Sequence, residues 1–212
     1  MISTIRQAAQ NIFSRLKWKV YPSTWFSIIA FLSIIPCVMF LPERFAWENS
    51  FIENTKIIVL FACFFITIKA KWNKKFFNWI SFIAIILILR EINCGRSFFP
   101  KPNVINSFYQ WKEIIPNYWW IPRTLYGLFM AYTIYYFFKN NLLKTVVLYI
   151  KKAPIDVWNC IFLFLGIILG TLGENNIKNE MLEETTENLF YVAFTVLIWL
   201  YSHNKDYKID DK

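Results

Sequence analysis

Six long apolar runs, separated by short charged connections, restrict this chain to very few folds. The first run, Val20–Pro42, contains no charged residue and is long enough as a helix to cross a bilayer core unaided. Further apolar runs follow from Lys56 to Lys69, from Phe76 to about Cys94, and over Thr124–Phe138, Val157–Gly173 and Asn188–Asn204. With their flanks, they predict spans of about 21–42, 54–71, 75–94, 122–139, 155–173 and 186–204. The second run is the shortest. Its charge-free core covers only about 18 Å at helical rise, so it spans only if its flanking lysines reach for the interface. A re-entrant hairpin of runs two and three is the competing arrangement.

Composition agrees with a bilayer as the solvent. Hydrophobic residues are 57% of the chain, more than a soluble domain of this size can shield from water. The net charge of +9 does not point to nucleic acid, because lysine and arginine sit in clusters between apolar runs, as in cytoplasmic membrane loops. With six spans and a cytoplasmic N-terminus, the inside regions hold 15 basic residues against four acids, a balance of +11. The outside regions hold seven basic residues against nine acids, a balance of −2. Arg90 and Glu91 cancel, which recovers +9. Every inside loop is basic, so the positive-inside rule puts both termini in the cytoplasm, and the expected location is a bacterial cytoplasmic (inner) membrane.

The expected fold is therefore all-α: a polytopic transmembrane bundle of six spans, N-in and C-in, forming one integral membrane domain over residues 1–212. Residues 1–19 carry Ile2, Ile5, Ala9, Ile12, Phe13 and Leu16 at helical spacing, which predicts an amphipathic helix at the membrane surface. A surface helix docked on the rest of the protein fits the same periodicity. Asn141–Ile150 reads as a second interfacial helix. No small-x-small cleavage site follows the first apolar core, so that segment is expected to stay as an anchor. The loop Gly95–Pro122 is rich in tryptophan and tyrosine and is expected to lie at the outer membrane boundary.

Three features stand out from this apolar background. Arg90, Glu91 and Arg96 lie at the end of run three, where a charged side chain needs a partner or water. Neighbouring helical positions point about 100° apart, so Arg90 and Glu91 are each expected to reach toward another helix. Glu180, Glu183, Glu184 and Glu187 lead into run six, with Glu180, Glu184, Glu187 and Tyr191 on one face. They suit a helix N-terminus, and the topology puts them at the same outer face as Arg90 and Arg96. Pairing across the two groups gives a polar cluster. The third feature is Gly166-x-x-x-Gly170, followed by Gly173, which opens a flat face for close helix contact. Internal packing is its expected use, with a homo-oligomer contact as the alternative.

Known catalytic signatures are missing. The sequence has no P-loop, GxSxG or HExxH. His203 is the only histidine and no CxxC pair occurs, so no metal site and no cofactor is expected. The cysteines Cys37, Cys63, Cys94 and Cys160 read as inert apolar residues. The leading functional expectation is a non-catalytic subunit or accessory protein that binds a protein partner or membrane lipids. One alternative is a small transporter or channel with Arg90, Glu91, Glu184 and Glu187 lining an outward vestibule. Another is an enzyme acting on a lipid headgroup, with arginines gripping phosphate and a glutamate as base.

Overall fold

A computed structural model describes residues 13–47, 50–99, 101 and 108–209, which are mostly helical. The long helices are α1 (Thr24–Phe40), α2 (Phe51–Ile68), α3 (Lys74–Glu91), α4 (Ile121–Lys139), α5 (Leu142–Lys152), α6 (Val157–Leu172) and α7 (Glu180–His203). Each of the six apolar runs thus falls on one helix, and α5 takes up the short amphipathic stretch. Among the described residues, Phe51–Ile68 and Val157–Asn175 are long and apolar enough to cross a membrane, and Thr24–Phe40 is apolar but shorter. The other long helices carry charge at their ends: Lys74, Lys75, Arg90 and Glu91 in α3, Arg123 and Lys139 in α4, and four glutamates in α7.

The centre of the bundle is α7, which packs against α1, α2 and α6. Its buried residues face all three: Leu189 and Ala193 meet Ile34 of α1 and Phe162 of α6, while Tyr191 meets Leu60 of α2 and Ile88 of α3. α3 packs on the far side of α2, and α4 packs on α3. The order across the bundle ends with α4 as an outrigger. Thr133 is its one buried residue, and Leu125, Leu128, Ile134 and Phe138 are exposed. Pro36 lies inside α1.

Gly166, Gly170 and Gly173 lie where α6 and the turn after it meet α7. A Cβ at Gly166 would stand 2.9 Å from the backbone nitrogen of Phe190, and one at Gly173 would stand 2.9 Å from that of Glu183. At Gly170 the nearest atom is Thr186 Oγ1, at 3.3 Å. These glycines let two helix backbones approach inside one chain.

Two findings differ from the sequence reading. Most of the helix expected over residues 1–19 lies outside the described residues, and its end is not helical. Leu16–Lys17 is extended and pairs in parallel with Ile155–Asp156, held by Arg15 donating to the carbonyls of Ala153 and Lys151. The second difference is at Lys56. α2 is one continuous helix of 18 residues, about 27 Å long at helical rise. Its lysine does not reach for the interface but is buried.

The connecting segments sort to two ends. At the basic end, Lys71 N donates to Ser202 O, Tyr201 Oη to Pro154 O, and Tyr21 Oη to Asp206. Asn73 Nδ2 ties α5 to the turn between α2 and α3 by donating to Tyr149 Oη. The acidic end holds the start of α2, the end of α3 and the start of α7.

Candidate functional site

Lys56 sits five residues into α2, about 7.5 Å along the helix from its start. At that depth its ammonium has no water to solvate it, with the side chain 3% exposed. Three carboxylates replace water: Glu91 of α3 at 3.2 Å, Glu184 of α7 at 2.6 Å and Glu187 of α7 at 2.9 Å. Of these contacts, the one to Glu187 is a hydrogen bond donated by the ammonium, and those to Glu91 and Glu184 are ion pairs. Glu91 is itself 5% exposed and accepts a second bond from Tyr191 Oη at 2.7 Å. This geometry joins α2, α3 and α7 through one nitrogen atom.

Helical spacing explains the convergence. Glu184, Glu187 and Tyr191 recur at steps of three and four, which puts them on one face of α7. Asn179 caps that helix by accepting from Leu182 N at 2.9 Å. Asn188 Nδ2 adds a bond to Thr55 of α2 at 3.2 Å. The ions are expensive to bury singly, and the opposite charges gathered around Lys56 offset part of that cost.

The other sequence-predicted residues divide around this knot. Arg90 reaches Glu187 at 3.5 Å and lies 3.8 Å from Glu91. Its side chain is 59% exposed, so this pair contributes little beside the buried one. Glu183 lines a cavity of about 200 Å³ with Arg90, Gly166, Gly170 and Glu187. Glu180 turns away into a separate cavity with Glu43 and Lys178. Arg96 does not meet the glutamates. Its Nη1 donates to Gln110 at 2.9 Å. Lys56 is the cation that sequence reasoning placed wrongly, because it stood in the sequence as a flanking lysine. The usable signal was a lysine followed by an unbroken apolar helix, with unpaired glutamates predicted at the same end.

Beyond α3 the chain makes an unusual turn. Asn93, Cys94 and Gly95 are consecutively left-handed, with φ of 47°, 54° and 92°. For a non-glycine residue such as Cys94 this costs roughly 1–2 kcal/mol. The turn has a consequence for charge. Had the helix continued, Arg90 and Arg96 would point about 120° apart. The turn instead brings both to one cavity of about 260 Å³, lined also by Asn93, Trp111, Arg123 and Tyr126. Below it, Phe108 is buried and Tyr109 N donates to Phe99 O, while Phe98, Tyr118 and Trp120 are exposed.

A second polar cluster lies toward the basic end. Asn159 of α6 is fully buried, accepts from Ser27 at 2.6 Å, and donates to Thr24 at 3.1 Å and to Asp156. Among the described residues no cluster of three or more histidine, cysteine, aspartate or glutamate side chains is arranged to hold a metal ion. No protein-family model matches the sequence, and neither the curated proteins nor the solved structures give a significant match.

Proposed function

We propose that this chain is a six-span integral protein of a bacterial cytoplasmic membrane, with both termini in the cytoplasm, that works by binding a bilayer lipid rather than by turning over a substrate. The observation that carries the lipid reading is a cleft of about 550 Å³ between α1 and α2, with α7 as its floor. Phe26 comes from α1, Ile58 and Ala62 from α2, and Val192, Val196 and Trp199 from α7. This lining is apolar, and a membrane would fill it with an acyl chain. Ser23 Oγ also lines the cleft and is buried with no hydrogen-bond partner among the described residues, which leaves a donor for an ester carbonyl.

The exposed apolar faces of α1 and α4 support membrane residence. Trp25, Ile29, Leu32 and Ile35 on α1 are all more than half exposed, far beyond scattered surface hydrophobes. The Lys56 knot supports binding over turnover. Its carboxylates are engaged by one ammonium, and the chain's one histidine, His203, is at the opposite end of α7.

Two experiments test this reading. Alkaline phosphatase fused after Glu113 should be active and fused after Lys144 inactive, with a fluorescent-protein fusion giving the reverse. The opposite pattern overturns the orientation. For the lipid, native mass spectrometry of the chain from phosphatidylcholine nanodiscs should show a lipid retained at a defined stoichiometry. Ala62→Trp, which fills the cleft, should reduce that retention. Equal retention in this variant, or none in the wild type, sinks the reading.

A further inference from the structure

We infer that the cavity between the end of α3 and the start of α4 is an oxyanion site for a phosphate group, carried by Arg90, Arg96 and Arg123. The site is separate from the α1–α2 cleft and does not depend on it. Three guanidinium side chains line one cavity of about 260 Å³, and no carboxylate is in that lining. Among the described residues, neither Arg96 nor Arg123 has an acidic partner within 4 Å. That is unlike Arg90, whose Nη2 faces Glu187 at 3.5 Å. Like charges gathered in a half-enclosed space repel, and an anion relieves the repulsion.

One guanidinium donor is also left without an acceptor. Arg96 gives Nη1 to Gln110 at 2.9 Å, and its Nε is buried with no acceptor. A buried donor left unsatisfied is a cost that a bound ligand removes. Guanidinium suits this role because its planar fork matches the oxygens of phosphate. Asn93 and Tyr126, in the same lining, supply neutral donors.

Backbone geometry supports the same conclusion. The left-handed run Asn93-Cys94-Gly95 is what brings Arg96 back beside Arg90. Trp111 closes one side, with its ring 3.7 Å from where a Cβ on Gly95 would lie. A strained turn that sets Arg96 beside Arg90, facing Arg123 of α4, is held against both conformational preference and charge repulsion. Strain of this kind is concentrated at ligand-binding sites.

Phosphate chemistry has two sources here, a free anion and a lipid headgroup. The detergent-solubilised full chain is titrated with inorganic phosphate by calorimetry. In parallel, native mass spectrometry compares chain released from phosphatidylcholine nanodiscs with and without phosphatidylglycerol. One saturable phosphate per chain identifies a free oxyanion as sufficient. Phosphatidylglycerol retained without measurable phosphate binding identifies a headgroup. In either case Arg96→Gln and Arg123→Gln should each weaken binding at least tenfold, the scale of a lost charge-assisted hydrogen bond. Arg123 is exposed, so its variant is expected to fold even if that of Arg96 does not. Binding of neither probe overturns the proposal, and so does an Arg123→Gln chain that binds both as the wild type does.

Discussion

The two ends of this bundle are fastened by different chemistry. At the acidic end one buried ammonium draws together three carboxylates from two helices, and so locks α2, α3 and α7. Toward the basic end one buried amide, Asn159, links α6 to α1 through Ser27 and Thr24. Replacing the amide removes neutral hydrogen bonds to Ser27, Thr24 and the buried Asp156 carboxylate, a smaller loss than that of a buried charge. Removing the ammonium leaves like charges facing each other in a site without water. A charged fastening is therefore stronger against partial damage to neutral groups and weaker against loss of its centre.

The largest expected effect is that of Lys56→Met. It keeps the volume and removes the charge, so stability should fall by about 3–5 kcal/mol, the scale for breaking a buried ion set. Thermal unfolding in detergent reads this, and adding Glu184→Gln with Glu187→Gln should recover part of the loss. A Lys56→Met chain as stable as the wild type would erase the contrast between the ends. Next comes Gly166→Ala, where the new methyl meets the Phe190 backbone. Overpacking of this kind costs about 1–3 kcal/mol. Gly127→Ala on α4 is its control: nothing lies within 4 Å, and the change should be neutral or stabilising by roughly 0.5–1 kcal/mol.

Asn159→Leu sharpens the comparison from the other side. Loss of its hydrogen bonds should cost about 1–3 kcal/mol, and a loss greater than that of Lys56→Met would reverse the ranking. The smallest effect belongs to an exposed contact. Lys101 and the backbone of Gln110 hold the Glu113 carboxyl below its ordinary range. A lowered folded value means the contribution is present above the ordinary carboxylate range and fades as pH falls through the lowered value. Glu113→Gln should leave the melting temperature at neutral pH almost unchanged and slightly flatten its fall in acid. A large shift at neutral pH would show the contact to be more than a surface clasp.

Much of this organisation was legible from the sequence. All six apolar runs fall on helices, because a helix satisfies the backbone N–H and C=O groups within the run itself. Arg90, Glu91 and the α7 glutamates stood out because charge is rare in such segments. Lys56 was harder to read. Its partners are 35 residues and more than 125 residues away, and only the packing of α2 against α7 closes that distance. Ser27, Thr24 and Asn159 escaped notice for a related reason: a single small polar residue barely changes the hydropathy of an apolar helix. Arg96 stands in the sequence at the start of the loop Gly95–Pro122, and composition does not show that a left-handed turn there would set it beside Arg90.

The order of translation gives the central position of α7 a further meaning. The ribosome makes α7 after every helix it joins, so Glu184 emerges more than 125 residues after Lys56. At about 5–20 residues per second, Lys56 waits on the order of ten seconds for two of its three counter-charges. Until then Glu91 is the only one of the three carboxylates made that can face Lys56. A chain that stops before α7 holds Lys56 with one of its three counter-charges.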